Sequence, residues 1–166
     1  MLIEEIHQPQ VIEIDGTARL RKYKATADFL DRAFNWYTDV ETVYLVDGVK
    51  EPYTYERMKA MYRYLEENGE LYIIEVLQDG EYIPVGDVTL MKDDMPIVIG
   101  DKSMRGKGLG RKVILALLER CRLLGFSDMR INEIYGFNVA SRRCFESVGF
   151  NEYEKTEKGS RFIIKL

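Results

Sequence analysis

Ten consecutive residues hold the densest chemistry of the chain. Asp101-Lys102-Ser103-Met104-Arg105-Gly106-Lys107-Gly108-Leu109-Gly110 places three glycines among four charged side chains. An apolar run at 95–99 comes before it and a helical apolar period at 111–124 follows, so the stretch reads as strand, glycine loop, helix. Glycines let successive backbone N–H groups turn into one concavity, and a helix start adds unpaired N–H groups and partial positive charge. Such a concavity binds phosphate oxygens. Arg105, Lys107, Arg111 and Lys112 strengthen its field. Gly110-Arg111-Lys112 lacks the Lys-Ser/Thr ending of a Walker loop, and the position late in the chain is not that of a dinucleotide-binding βαβ unit.

A second set of residues could move protons or hold a cation. Glu75 interrupts an apolar strand pattern and Asp87 follows Gly86 in the middle of another, so either carboxylate is a candidate base or ammonium anchor. Trp36-Tyr37-x-Asp39-x-Glu41-x-x-Tyr44 mixes aromatic faces with acids, a combination that attracts cationic amines. The same residues also suit a core and helix caps. His7 is the single histidine, which excludes a multi-histidine metal site and a histidine triad. Cys121 and Cys144 fall on apolar helix faces without metal spacing and read as free buried thiols; no metal is expected.

The elements that must position these groups follow from periodicity. Weak alternation at 11–14 and 19–23 suggests a first strand or hairpin. Helical patterns cover 26–37 and 54–65, the latter with Thr54 as N-cap, and 40–46 is a short helical or irregular piece. The period then changes to two: strands at 71–77, 82–91 and 95–100 form an antiparallel meander, with Asp79-Gly80 as a hairpin turn. After the glycine-loop helix come a strand at 128–135, a helix at 138–148 capped by Asn138, and a final strand pair at 150–153 and 161–166. The order is an α/β protein with a mixed sheet.

Composition bounds the rest. A chain of 166 residues, 46% apolar and 31% charged, is expected to be one globular domain. Its net charge of −4 argues against nucleic acid as a partner and favours a cationic one. The acidic start Met1-Leu2-Ile3-Glu4-Glu5 is unlike a secretory leader, and no apolar run is long enough to span a membrane, so a cytoplasmic location without membrane partners is expected.

Arg105-Gly106-Lys107-Gly108-Leu109-Gly110, followed some thirty residues later by Asn138-x-x-Ser141-x-x-x-Phe145-x-x-x-Gly149-Phe150, resembles the GNAT superfamily of acyl-CoA-dependent N-acyltransferases, closely from residue 71 onward. The resemblance implies a single-domain GNAT fold over residues 1–166: a mixed, mostly antiparallel sheet with helices on both faces and splayed central strands. The N-terminal third would bind the acceptor and 71–166 would bind acetyl-CoA. It further implies that the backbone from Arg105 through Gly110, with Arg111, holds the cofactor diphosphate, and that Val98, Ile99 and Gly100 pair with its pantetheine arm. Asn138 is then either a cofactor contact or a plain N-cap, and Ser141 is a candidate of the same kind.

In the family an amine attacks the thioester directly, in a ternary complex. In the ribosomal-protein-alanine type of the family, a strand glutamate at the place of Glu133 here deprotonates the amine, and a helix tyrosine protonates the departing thiolate. Phe145 stands at that tyrosine's place, so the usual acid is missing and Tyr135 is a substitute; Asp87 and Glu75 remain alternatives to Glu133. The stretch from Trp36 to Tyr44 loosely resembles the W-x-x-D segment of aminoglycoside 6′-N-acetyltransferases and of ribosomal-protein acetyltransferases. Trp36, Tyr37, Asp39, Glu41 and Glu75 are the acceptor-binding candidates, and the acceptor expected is a small cationic primary amine. A peptide N-terminus is the alternative, as is a catalytically silent acyl-CoA-binding module; family precedent also allows a homodimer.

Overall fold

The computed structural model describes residues 6–166; residues 1–5, on which the leader expectation rests, lie outside it. β1 (Val11–Glu13) and β2 (Ala18–Lys22) form a hairpin, and three helices follow: α1 (Ala27–Tyr37), α2 (Val40–Asp47) and α3 (Tyr55–Asn68). Each helix starts at an oxygen-bearing cap. Thr26, Asp39 and Thr54 accept the backbone N–H of Phe29, Thr42 and Arg57, filling orphan donors of the first turn. β3 (Glu70–Gln78), β4 (Glu81–Leu90) and β5 (Ile97–Ile99) make the expected meander. The glycine loop leads into α4 (Leu109–Leu123), then β6 (Asp128–Tyr135), α5 (Val139–Ser147), β7 (Asn151–Lys155) and β8 (Gly159–Lys165).

The sheet differs from the expected one. It is split in two, β1-β2-β3-β4-β5 and β6-β8-β7, and every ladder is antiparallel. No ladder joins β5 to β6, so the splay between the central strands is a complete break. β5 is three residues long, shorter than the apolar run predicts. Val85 is an extra residue on β4, between the Ile74–Gly86 and Glu75–Pro84 pairs, and its carbonyl accepts the Asp101 N–H. That bulge ends the pairing of β4 with β5 at Gly86 and Ile99.

Helices cover both faces. α4 packs Val113, Ile114, Leu117, Leu118 and Cys121 onto Tyr72, Ile74 and Val88 in the larger core. α1 and α3 pack Phe29, Trp36, Tyr37, Met58 and Tyr62 onto Leu71 and Ile73 in a second, aromatic core. Alternation on β3 explains the division, since successive side chains point to opposite faces. The aromatic core is knit by edge and stacked contacts, such as Tyr23 with Tyr62 at 5.1 Å and Phe29 with Trp36 at 5.9 Å.

Asp87 lies in this second core, 2% exposed. The Tyr37 and Tyr62 hydroxyls both donate to its Oδ2, at 2.7 and 2.8 Å. Burial pushes its pKa up to about 6, and the two hydroxyls pull against that rise. Because the folded value is raised, the native chain holds a proton that the unfolded chain releases near pH 4. This contribution is fully present below about pH 4 and lost as pH rises through about 6, roughly 3 kcal/mol in all. The stability of Asp87→Asn relative to the natural chain should therefore grow by about that amount between about pH 4 and about pH 7, read by urea unfolding. A constant difference across that range would show that Asp87 is not desolvated as described.

Candidate active site

Between the facing edges of β5 and β6 opens a cleft of about 720 Å³. β5 supplies one wall through Ile97, Val98 and Ile99, and β6 the other through Ile131, Glu133, Ile134 and Tyr135. Ile114 of α4 and Phe145 of α5 close the floor, and Thr42, Leu45 and Val46 of α2 line the side toward the N-terminal helices. The backbone edge of β5 is available here. The Pro96 carbonyl accepts from Thr89 on β4, so alternation turns the N–H and C=O groups of Ile97 and Ile99 away from β4 and toward the gap. One is already used: the Ile99 carbonyl accepts the Arg105 Nε–H at 2.8 Å.

The glycine loop forms the end of the cleft. Asp101 caps a short 3₁₀ turn, Lys102–Met104, by accepting the Ser103 N–H at 3.0 Å and hydroxyl at 2.7 Å. Gly106 and Gly108 then take left-handed backbone, φ 74° and 83°. A Cβ at either would meet nothing, so conformation alone demands glycine there. Gly108 is the N-cap of α4 and offers no side-chain cap. The N–H groups of Leu109, Gly110 and Arg111 therefore have no intrahelical partner, and all three residues line the cleft.

The cations divide. Arg111 lines the cleft, whereas Lys112 pairs with Asp15 at 2.6 Å and, with Lys107, lines a smaller pocket of about 160 Å³ beside β2 and β3. Arg105 is a brace, its second bond going to the Thr42 hydroxyl at 3.0 Å. Arg143 on α5 also lines the cleft. Nothing in the sequence separates it from Arg142, which pairs with Glu146 and Glu152.

Glu133 reaches the cleft through a bulge. Asn132 and Glu133 of β6 stand opposite the single residue Arg161 of β8, between the Ile131–Phe162 and Ile134–Ser160 pairs. Strict alternation would separate Ile131 and Ile134 onto opposite faces, yet both are buried, and Glu133 turns to the cleft between them. Tyr135 follows. Its hydroxyl donates to the Asp47 carbonyl at 3.3 Å. Desolvation raises its pKa, with the negative charges of Glu133 and Asp47 adding to the rise, so the phenol keeps its proton at neutral pH. A second carboxylate, Asp94 on the β4–β5 turn, also lines the cleft. Burial raises its pKa against hydrogen bonds from Asn132 and Met95. The Asp93-Asp94 pair reads in sequence as a turn and gives no sign of this.

Other candidates lie elsewhere. Asp87 is enclosed by its two tyrosines outside the cleft lining. Glu75, 3% exposed, is gripped by Arg19 at 2.9 Å and Arg21 at 3.1 Å on the β2–β3 ladder. Trp36 and Tyr37 are buried in the aromatic core. Asp39 caps α2, and Lys102 bridges Asp39 at 3.0 Å and Glu41 at 2.9 Å. None of these six lines the cleft. Asn138 and Ser141 do: the Asn138 Oδ1 accepts the Ser141 N–H as an N-cap, and its Nδ2 points to the Leu45 carbonyl at 3.5 Å.

The family model described as Acetyltransferase (GNAT) domain matches residues 18–151. The chain belongs to the GNAT acetyltransferase family. Solved structures of the same fold include a domain from Methanocaldococcus jannaschii DSM 2661, with TM-score 0.80 and 22% identity over 90% of this chain and 98% of that one. Spermidine N-acetyltransferase from Vibrio cholerae, solved with CoA and spermine, aligns with TM-score 0.72 and 18% identity over 91% and 96%. Aminoglycoside acetyltransferase AAC(6′)-Ib, solved with coenzyme A, aligns with TM-score 0.68 and 19% identity over 90% and 95%. No curated protein matches the chain by sequence.

Two further features of this GNAT domain bear on the cleft. Phe145 is buried edge-on to Phe150 at 5.2 Å, a core contact. Gly100, which ends β5, is buried and does not line the cleft; a Cβ there would lie 2.2 Å from the Trp36 indole. Trp36 thus packs on the backbone at the end of β5 and fixes where the loop begins. Gly100→Ala should destabilise the protein by about 1–3 kcal/mol through overpacking, measured by thermal or urea unfolding. Full stability would show that this contact yields freely.

Proposed function

We propose that this acetyltransferase moves the acetyl group of acetyl-CoA to a primary amine of a small cationic acceptor, aminoglycoside- or polyamine-like, by direct attack in a ternary complex. The observation that carries the reading is the continuity of one cleft from the glycine-loop amides to Glu133. The donor set fits the cofactor: left-handed Gly106 and Gly108, the unpaired N–H groups of Leu109 to Arg111, and the cations Arg111 and Arg143 suit a diphosphate, and the free edge of Ile97 and Ile99 suits an amide-bearing arm. Val98 and Ser141 line the same channel. Bound there, acetyl-CoA supplies the acyl thioester that an amine can attack.

The residues of the chain do the rest. An alkylammonium has no lone pair, so the acceptor must give up a proton, and Glu133 on the β6 wall takes it. Tyr135 holds a proton at its hydroxyl two residues along the same wall, filling the role that Phe145 cannot. We assign acceptor binding to the N-terminal third and cofactor binding to residues 71–166, because α2 contributes Thr42, Leu45 and Val46 to a cleft whose other lining residues lie in 94–147. The structural likeness to a spermidine and an aminoglycoside acetyltransferase, together with the acidic net charge, supports a cationic small molecule. Two free cysteines, one of them fully buried, accord with a reducing compartment such as the cytoplasm.

The test is release of free thiol from acetyl-CoA with a panel of polyamines, aminoglycosides and N-terminal peptides. Turnover on a polyamine or aminoglycoside is expected; turnover only on peptides would replace the acceptor class, and tight cofactor binding without turnover would replace the enzymatic reading. Glu133→Gln should lower kcat by about 10²-fold near neutral pH, with the deficit shrinking as pH approaches about 10 and the acceptor deprotonates by itself. An undiminished rate would exclude Glu133 as the base. Gly108→Val forces a branched side chain into left-handed backbone at the loop, and should weaken CoA binding at least about tenfold by calorimetry. Unchanged affinity would remove the loop from the cofactor site.

A further inference from the structure

Asp94 is the second carboxylate of the cleft, and its hydrogen bonds are unusual. Its Oδ1 accepts the N–H of Met95 at 3.0 Å and the N–H of Asn132 at 3.2 Å. Its own carbonyl accepts the Met91 N–H at 3.0 Å, which closes the β4–β5 turn and makes the side chain part of a rigid corner. Among the described residues, the bond to Asn132 is the single hydrogen bond between the β4–β5 hairpin and β6. It therefore bridges the gap where no ladder exists.

Its position on β6 is the informative part. Asn132 and Glu133 are the two bulged residues opposite Arg161. A bulge leaves one residue outside the regular ladder, and a backbone group freed that way needs a partner. Asp94 supplies it from the opposite sheet. The conformation of Asn132 sets the direction of the Glu133 side chain, and both acids line the same cleft.

We propose that Asp94 is a positioning residue for acetyl transfer: by accepting the Asn132 N–H across the gap, its carboxylate holds the β6 bulge in the form that turns Glu133 toward the acceptor. The inference rests on the reading of Glu133 as proton acceptor. It concerns an acceptor oxygen and not a charge, so an amide in the same place should serve. An arrangement of this kind affects turnover more than binding, because misplacing a base by a fraction of an ångström leaves the rest of the cleft intact.

The experiment is a double-mutant cycle on the whole chain, with kcat and both KM values for Asp94→Asn, Asp94→Ala, Glu133→Gln and Glu133→Gln/Asp94→Ala, and thermal unfolding for each. Asp94→Asn should keep kcat within about twofold, and Asp94→Ala should lower it about tenfold with KM for acetyl-CoA within about twofold. In the Glu133→Gln background the Asp94→Ala change should shrink to about twofold or less, since the group it positions is already gone. A full tenfold loss in that background would show that Asp94 acts independently of Glu133 and would overturn the inference. So would Asp94→Asn as slow as Asp94→Ala. A slow Glu133→Gln beside an unaffected Asp94→Ala would sink the Asp94 inference alone, whereas a fast Glu133→Gln would remove the reading beneath it. Where Asp94→Ala does not fold, Asp94→Ser shortens the reach to Asn132 without an apolar gap and reads the same coupling.

Discussion

Two strand edges lie on either side of a gap and do not pair, and the rest of the structure depends on that. An open edge is a row of backbone donors and acceptors that would gain by forming a ladder. β5 and β6 are kept from doing so by what holds each of them. The Val85 bulge and the packing of Trp36 on Gly100 stop β5 after three residues. The Asn132–Glu133 bulge interrupts the ladder of β6 with β8, and Asp94 takes up the N–H facing the gap. α4, the crossover between the two strands, begins at one end of the gap because the chain leaves β5 there. The unpaired amides of the helix start and of the strand edge are thus delivered to one cavity by topology, without any residue dedicated to bringing them together.

Charge follows the same logic of partners. The chain has many acids, and most near the core are satisfied by neighbours: Glu75 by Arg19 and Arg21, Glu70 by the buried Arg120 at 2.7 Å, Asp39 and Glu41 by Lys102, Asp87 by two tyrosines. A carboxylate held this way has its lone pairs engaged and is a poor acceptor for a substrate proton. Glu133 is different: it lines the cleft, and no hydrogen bond or ion pair to its side chain is present among the described residues. The availability of Glu133 is as informative as its location.

This explains what could be read from the chain before its structure. Elements were legible where local physics decides them. The caps at Thr54 and Asn138 hold, the glycine loop precedes a helix, and β6 spans 128–135 as the pattern predicts. The break between the sheets was legible only through resemblance, since an apolar run says nothing about which edge stays unpaired. Tertiary partners were illegible: Trp36 and Tyr37 carry the residue types of a binding surface, but alternation and helical period bury them against β4 and β5. Asp94 was hidden for the opposite reason. A turn acid is usually solvated, and its reach across the gap depends on a bulge in a strand nearly forty residues away.

The two halves of the cleft are also less separate than their places in the chain suggest. The C-terminal end of α2 is clasped to the β6–α5 connection by three contacts: the Tyr135 hydroxyl on the Asp47 carbonyl, the Asn138 amide on the Leu45 carbonyl, and the ring of Tyr44 stacked 4.2 Å from that of Phe137, which stacks in turn on Tyr135. Asn138 is the N-cap of α5 and also a tie to α2. Its amide oxygen caps α5 while one N–H of its amide nitrogen reaches α2, and the residue also lines the cleft. A helix C-terminus is an end with unpaired carbonyls, and here those carbonyls are satisfied by the wall that carries Glu133 and Tyr135. In the proposed reading the acceptor side is thereby built onto the same strand that carries the proposed proton chemistry, and a shift of α2 would move Tyr135 with it.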